Sequence, residues 1–486
     1  MTKRNEEITP NLKFGERFPP ESIAIVGISR KEEWIPIGYT GLQIFRTLRE
    51  SGFSGRVYPV NPKAQEIEGV KAYPNVASIP ERPDLVIITV PAPRVPQVID
   101  DCVAAGAYYV IIISSGFAET GEEEGKKLEE LVLEKALKGG LRIIGPNCVG
   151  FNVPSVNMQM SLTGSNVKGS VAFICQSGGH TEIFLQYGPT LGLGFSKAIS
   201  YGNAMMLDVV DFLEYLADDP ETEIICLYLE GIKNGRKLIE LVKKVIPMKP
   251  VIVWKGGLTK SGSRVAVSHT ASLTGDREIW NAFFKQTGAI EVDSIMEMAE
   301  VAMTFQHLSA AANARAAVIG QGGGSTVSNA DICAREGVET PRFSSETQEG
   351  LFQMFSLVNQ GLSNPMDVPS LFANPKYLNR TLRLLEDDPA IDMIIFCVQA
   401  QFLERGEYFS IFKNELIKTM QNNAVHKPIV VAISGEWHVC GVEPVIREMR
   451  QTGITIFNSI NSACKALKRF AMYHQFIRGN STTIAL

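Results

Sequence analysis

No run of about 18 apolar residues occurs in the 486-residue chain, so no membrane-spanning helix is expected. The opening stretch, MTKRNEEITPNLKF, lacks an apolar core and does not read as a secretory signal. Net charge is −5, so no basic field argues for nucleic acid. The eight cysteines never form a CxxC pair. Neither a zinc ribbon nor a disulfide framework is expected, and reduced thiols in a cytoplasmic compartment fit better. Two phosphate-binding signatures are also missing: there is no GxGxxG and no GxxxxGK[ST]. An ordinary dinucleotide fingerprint and a P-loop are therefore set aside.

What is present is a repeated local grammar. SIAIVGISR precedes GYTGLQIFRTLRESG, GSVAFICQSGG precedes HTEIFLQYGPTLG, and RAAVIGQGGGS precedes TVSNADICAREG. Each is an apolar strand, then a Gly/Ser turn at Gly27, Gly178 or Gly322, then helical periodicity. Further continuous apolar runs follow each start, among them DLVIITV, EIICLYLEG and DMIIFCVQA. Continuous apolar strands alternating with helices imply parallel sheets covered on both faces. The expected fold class is α/β, with three doubly wound, mainly parallel domains. Their expected spans are 21–150, 151–312 and 313–486, preceded by a loosely ordered arm over residues 1–20. In such sheets ligands bind beyond the carboxyl ends of the strands, and a Gly-rich turn opening a helix favours anions.

The second strand of the first domain, RVYPVNPKA, ends Asn61-Pro62-Lys63. An NAD site would place Asp or Glu near that end. A lysine there suits a phosphorylated ribose, as in NADP or coenzyme A, or else is a solvated loop residue. Arg30 adds a second cation after the first turn. Cys148, in the loop GPNCVG, lacks neighbouring metal ligands and is either a buried small apolar group or a functional thiol.

GISR, YPVNPK, VPAP, SSGF and GPNCVG, in this order, resemble the CoA-binding domain of succinyl-CoA synthetase α subunits. The likeness to ADP-forming (NDP-forming) acyl-CoA synthetases is greater still, and CQSGG, DFLEYLADDPETEIICLYLEG, SHTASLTGD, GQGGGS and SNPMDV extend it from Ser22 to Phe476. The resemblance implies CoA contacts at Gly27, Ser29, Arg30, Lys63, Val90, Pro91, Ser115 and Asn147, with Cys148 near the thiol end. It implies that His269 is phosphorylated, that Glu230 orients it, and that Ser177, Gly178 and Gly179 hold the phosphoryl oxygens. A neutral imidazole is a good nucleophile near pH 7, and its second nitrogen needs an acceptor to fix the tautomer. His180 is left open between a structural and a functional reading, and the other histidines read as structural or exposed.

Two departures from the family pattern stand out. Ile28 replaces the usual alanine of the first turn. Gly179-His180 replaces Ala-Leu beside the acyl pocket, so the preferred acid need not be acetate. No stretch is left over for an ATP-grasp module. The resemblance thus implies a separate ATP-grasp β chain carrying ADP or ATP with Mg, commonly in an α2β2 assembly, and a small carboxylic acid, CoA and phosphate as reactants. No metal site is expected on this chain. Two rivals are a non-catalytic CoA sensor or scaffold, which has no need of His269 and Glu230 together, and an NADP-dependent reductase, disfavoured by the missing GxGxxG.

Overall fold

Each of the three strands that lead into a glycine turn runs inside a sheet, between its neighbours. The computed structural model describes residues 13–28, 39–262, 264, 276–309, 311–355, 361–403, 406–422, 425–434 and 439–484. In the first sheet Ser22–Val26 (β1), Arg56–Val60 (β2), Leu85–Ile88 (β3), Tyr109–Ile112 (β4) and Arg142–Ile144 (β5) lie in the order β2-β1-β3-β4-β5. All its pairings are parallel. Strands β1, β3, β4 and β5 are buried along their whole length, as two-faced coverage demands. Helices Gly41–Glu50 (α1), Val95–Ala105 (α2) and Glu123–Gly139 (α3) make the crossovers. A Thr40–Gln43 capping box starts α1.

The second sheet comprises Gly150–Val153 (β6), Met158–Gln159 (β7), Lys168–Cys175 (β8), Phe195–Ser200 (β9), Ile224–Leu229 (β10), Val251–Lys255 (β11) and Ile290–Glu291 (β12). Their order is β12-β11-β10-β8-β9-β6-β7. It is parallel except at one edge, where β6 runs antiparallel to both β9 and β7. Its helices are Gly178–Thr190 (α4), Val209–Asp218 (α5), Gly235–Val245 (α6) and Arg277–Thr287 (α7).

These two sheets share one compact unit, Met1–Pro189 with Gly194–Ile295. A second unit, Thr190–Leu193 with Met296–Leu486, contains the third sheet. There Ala316–Gly320 (β13), Met366–Asp367 (β14), Met393–Gln399 (β15), Ile429–Ser434 (β16) and Thr455–Phe457 (β17) pair in the parallel order β14-β13-β15-β16-β17. The fold is therefore α/β with three doubly wound, mainly parallel sheets.

In all three sheets the first parallel strand gains its second neighbour on one side and its third on the other. That reversal opens a crevice at the carboxyl ends, between β1 and β3 and between β8 and β10 in the first unit. Both crevices fall where the glycine turns are.

Residues 13–20 differ from the expected loose arm. Phe14 is buried, with ring centroids of Tyr109, Phe151, Phe212 and Tyr215 at 4.9–6.0 Å. The Tyr109 hydroxyl accepts from Gly15 N at 3.1 Å and donates to Glu16 O at 2.7 Å. Gly15 has φ +114°, and a Cβ there would lie 2.6 Å from the Tyr215 ring. Aromatics from β4, β6 and α5 thus close over one short segment, strapping the first sheet to the second. Two phenylalanines four residues apart carry no strand period, which is why the sequence pattern did not reveal the strap.

Emptying this nest leaves a cavity that its rigid walls cannot refill. Phe14→Ala is expected to lower the unfolding free energy by about 3–4 kcal/mol, read as a shift of the denaturant midpoint at constant slope. A shift below about 1 kcal/mol would make the strap peripheral.

Candidate functional site

The first crevice is a cleft of about 1260 Å³ beyond β1, β2 and β3. Gly27, Lys63, Val90 and Pro91, all expected CoA contacts, line it. Gly27 has φ +102°, and a Cβ there would meet Thr89 Oγ1 at 2.8 Å and Val90 Cγ1 at 2.9 Å, so only glycine lets the turn pass so close to β3. Asn61, to which the sequence reading gave no role, fastens the end of β2 to this turn. Its Nδ2 donates to Ile28 O at 2.5 Å, while its Oδ1 accepts from Lys63 N at 2.8 Å. Lys63 is thereby held at the rim with its side chain exposed. Ile28, the departure from the family turn, is fully buried. Arg94 also lines the cleft and supplies another cation that the sequence reading missed.

Ser29 and Arg30 lie outside the described residues. Ser115, Asn147 and Cys148 stand on the loops after β4 and β5, apart from the residues lining this cleft. Ser115 is exposed. Asn147 adopts φ +59° and donates from Nδ2 to Asn203 Oδ1 at 3.4 Å. Cys148 is buried, its Sγ 3.5 Å from Ile112 O, and burial pushes the thiol up to about 12. Its surroundings are those of a small apolar residue.

The second crevice lies between the ends of β8 and β10. Ser177 caps α4: its Oγ accepts from His180 N at 3.3 Å and its carbonyl from Thr181 N at 3.1 Å. Gly178 packs tightly, since a Cβ would meet Val149 Cγ2 at 2.7 Å. Gly179 is exposed, and among the described residues only Ser177 Oγ, at 3.9 Å, lies near the Cβ position. The turn is thus open on one side, with amide groups and a helix N-terminus available to an anion.

Opposite it, Glu230 directly follows β10 and is 8% exposed. Three side chains hold it. Gln176 Oε1 accepts from Glu230 N and, at 2.9 Å, from Gly231 N. Lys255 Nζ donates to Glu230 O at 2.8 Å, and Tyr228 OH donates to Oε1 at 3.1 Å. Strand β11 lies beside β10, with Leu229 paired to Lys255. A Cβ on Gly256 would lie 2.7 Å from the Tyr228 hydroxyl, so any larger residue there must displace that ring. His180 stacks on Tyr228 (4.5 Å, 27°) and meets Trp254 edge-on at 4.8 Å. Desolvation holds its imidazole below the usual histidine range, against the pull of Glu230. His180 therefore belongs to the wall of this site rather than to the bulk core. His269 itself, with the whole stretch 265–275, lies outside the described residues.

Gln176, Tyr228 and Lys255 were not singled out from the sequence. The available signal was slight: each is a polar or amphipathic residue in or just after an otherwise apolar run.

Comparison with known proteins bears on both crevices. Residues 21–154 match the CoA binding domain model, 168–305 the succinyl-CoA ligase like flavodoxin domain, and 316–479 the ligase-CoA domain. The α subunit of acetate–CoA ligase [ADP-forming] II from Pyrococcus furiosus is 41% identical over 386 residues, covering 79% of this chain and 82% of the relative. The chain belongs to the ADP-forming acyl-CoA synthetase family. Acetate–CoA ligase [ADP-forming] I from Archaeoglobus fulgidus is 38% identical over 80% of this chain, which spans 56% of that relative's length. A dinucleotide forming acetyl-coenzyme A synthetase 1 from Ca. Korarchaeum cryptofilum, solved with phosphate and ADP, superposes with a TM-score of 0.83 at 29% identity. That match covers 97% of this chain and 99% of the other. Among the described residues no helix is long and apolar enough to cross a membrane.

Burial lowers the Lys255 ammonium to about 8, against the opposing attraction of Glu230. In the unfolded chain the same lysine keeps its proton to about 10.5. Between those values the unfolded state binds more protons, so stability should rise with pH across that window. The gain is on the order of 2 kcal/mol. Lys255→Met should flatten it in denaturation curves taken between pH 7.5 and 10.5, and an unchanged slope would place the ammonium in water.

Proposed function

We propose that this chain is the α subunit of an ADP-forming acyl-CoA synthetase, interconverting acyl-CoA, ADP and phosphate with free acid, CoA and ATP. The observation that carries the reading is the pairing, at one switch point, of an anion turn at Ser177-Gly178-Gly179 with the buried carboxylate of Glu230, whose main chain is held by Gln176 and Lys255 and whose Oε1 accepts from the Tyr228 hydroxyl. A CoA sensor would need the first cleft and not this second arrangement.

In the proposed sequence a phosphate oxygen attacks the thioester carbonyl, and the C–S bond breaks to give acyl phosphate and CoA, whose thiolate takes up a proton. A His269 ring nitrogen then attacks phosphorus, and the carboxylate leaves. Glu230 accepts the hydrogen bond of the other ring nitrogen, fixing the tautomer and offsetting the positive charge as the N–P bond forms. The turn amides stabilise the phosphoryl oxygens without a cation. Transfer to ADP takes place on a separate ATP-grasp β chain, which holds the Mg-nucleotide, in an α2β2 assembly. The open side of Gly179 and the His180–Tyr228–Trp254 wall border the acyl group, so the acid is selected there. Free, buried thiols at the seven described cysteines accord with a cytoplasmic setting.

The first test concerns CoA. Its 3′-phosphate meets the cations at the cleft rim, so dephospho-CoA should bind more weakly. Lys63→Ala should weaken CoA by about 1–3 kcal/mol. Equal affinities for the two ligands by calorimetry would remove the phosphate contact.

The second test concerns the phosphoryl carrier. With its β partner the chain should form ATP from acyl-CoA, ADP and phosphate through an acid-labile, base-stable label on His269. Glu230→Gln should slow labelling by about 10²-fold or more at unchanged melting temperature, and His269→Ala should abolish turnover. Full ATP synthesis by His269→Ala would overturn the mechanism.

A further inference from the structure

Among the described residues, a side-chain contact joins the two crevices. Tyr39 lines the rim of the CoA cleft, one residue before the Thr40 cap of α1. Its hydroxyl donates to Glu182 Oε1, which belongs to the second sheet's helix α4. Glu182 lies one turn past Gly178, on the helix that the anion turn opens, so roughly 6 Å along the axis separates the contact from that turn.

The other carboxylate oxygen is fully engaged. Glu182 Oε2 accepts from Ser161 Oγ at 2.7 Å, from Thr163 N at 3.2 Å and from the Thr163 hydroxyl. Three segments of chain therefore converge on one carboxylate: the cleft rim, the connection from β7 to β8 within the second sheet, and α4. Removal from water raises this carboxyl above its usual range, against the hydrogen bonds of the 162–164 backbone. A surface ion pair would be screened and worth little. A half-buried carboxylate with this many donors fixes geometry instead.

We propose that the Tyr39–Glu182 hydrogen bond is a latch by which an occupied CoA cleft positions the first turn of α4. Tyr39 is a positioning residue, since it touches the cleft and acts on the turn through Glu182. CoA packs against the phenol ring only in the rotamer that reaches Glu182. Ligand binding therefore favours the latched state by its differential affinity for that rotamer. The latched helix presents its N-terminal amides to phosphate. The coupling must be reciprocal: CoA tightens phosphate, and phosphate tightens CoA by the same factor. This inference rests on Ser177-Gly178-Gly179 being the phosphate turn.

The test is calorimetry on the full chain with CoA and inorganic phosphate as probes. In the wild type, saturating phosphate should tighten CoA by about fivefold or more. Tyr39→Phe keeps the ring and removes one hydroxyl. It should bring that factor to about one and keep the melting temperature. Ser177→Ala, measured alongside, should weaken phosphate and leave CoA alone unchanged. Undiminished coupling in Tyr39→Phe, with phosphate still sensitive to Ser177, would overturn the latch and spare the phosphate turn. Phosphate binding indifferent to Ser177→Ala would remove the turn assignment and the latch with it. A wild type without coupling would overturn the latch alone.

Discussion

Two backbone N–H groups, on Glu230 and Gly231, share a single acceptor, the side-chain oxygen of Gln176. Everything at the second crevice depends on that fork. Gln176 follows β8 directly, and Glu230 follows β10, so the fork ties together the ends of the two strands between which the chain reverses its winding. Both amides are buried, and leaving either without an acceptor costs about 1–3 kcal/mol. A change of Gln176 would therefore shift the strand end, and with it the carboxylate. Lys255 closes the same frame from the third strand by donating to Glu230 O. The carboxylate position is set by main chain first and by the Tyr228 hydroxyl second.

The architecture was legible in the sequence because parallel strands buried on both faces are continuous apolar runs, and the three glycine turns mark where each sheet begins. SIAIV, SVAFIC and AAVIG are all found as strands at the expected places. The antiparallel edge at β6 and β7 was not legible, since FNV and MQ are too short to carry a period. Of the site, the glycines were visible because tight turns constrain residue type, and Glu230 was named through the family resemblance. Gln176 and Tyr228 were not, because their roles arise only when β8, β10 and β11 are set side by side. The Tyr39–Glu182 contact, 143 residues apart in sequence, leaves no local pattern at all.

Glycine does different work at the two crevices. At Gly27 the backbone itself requires a left-handed conformation and close approach to β3. At Gly256 the backbone is ordinary, and the constraint comes from the Tyr228 hydroxyl lying where a Cβ would be. The first kind of glycine shapes a binding surface directly. The second protects a hydrogen bond to Glu230, so an alanine there would be felt two residues away in space, at the carboxylate.

The aromatic strap has a consequence for biosynthesis. Phe14 leaves the ribosome long before Tyr109, Phe151, Phe212 and Tyr215, the rings that enclose it. At roughly 5–20 residues per second, about ten seconds or more pass before the last wall of the nest exists. The first sheet gains its strands during that interval, yet it is fastened to the second only when α5 has emerged. Phe14 and Phe18 therefore stay uncovered on the nascent chain until α5 has emerged, and the fastening of the two sheets waits on it.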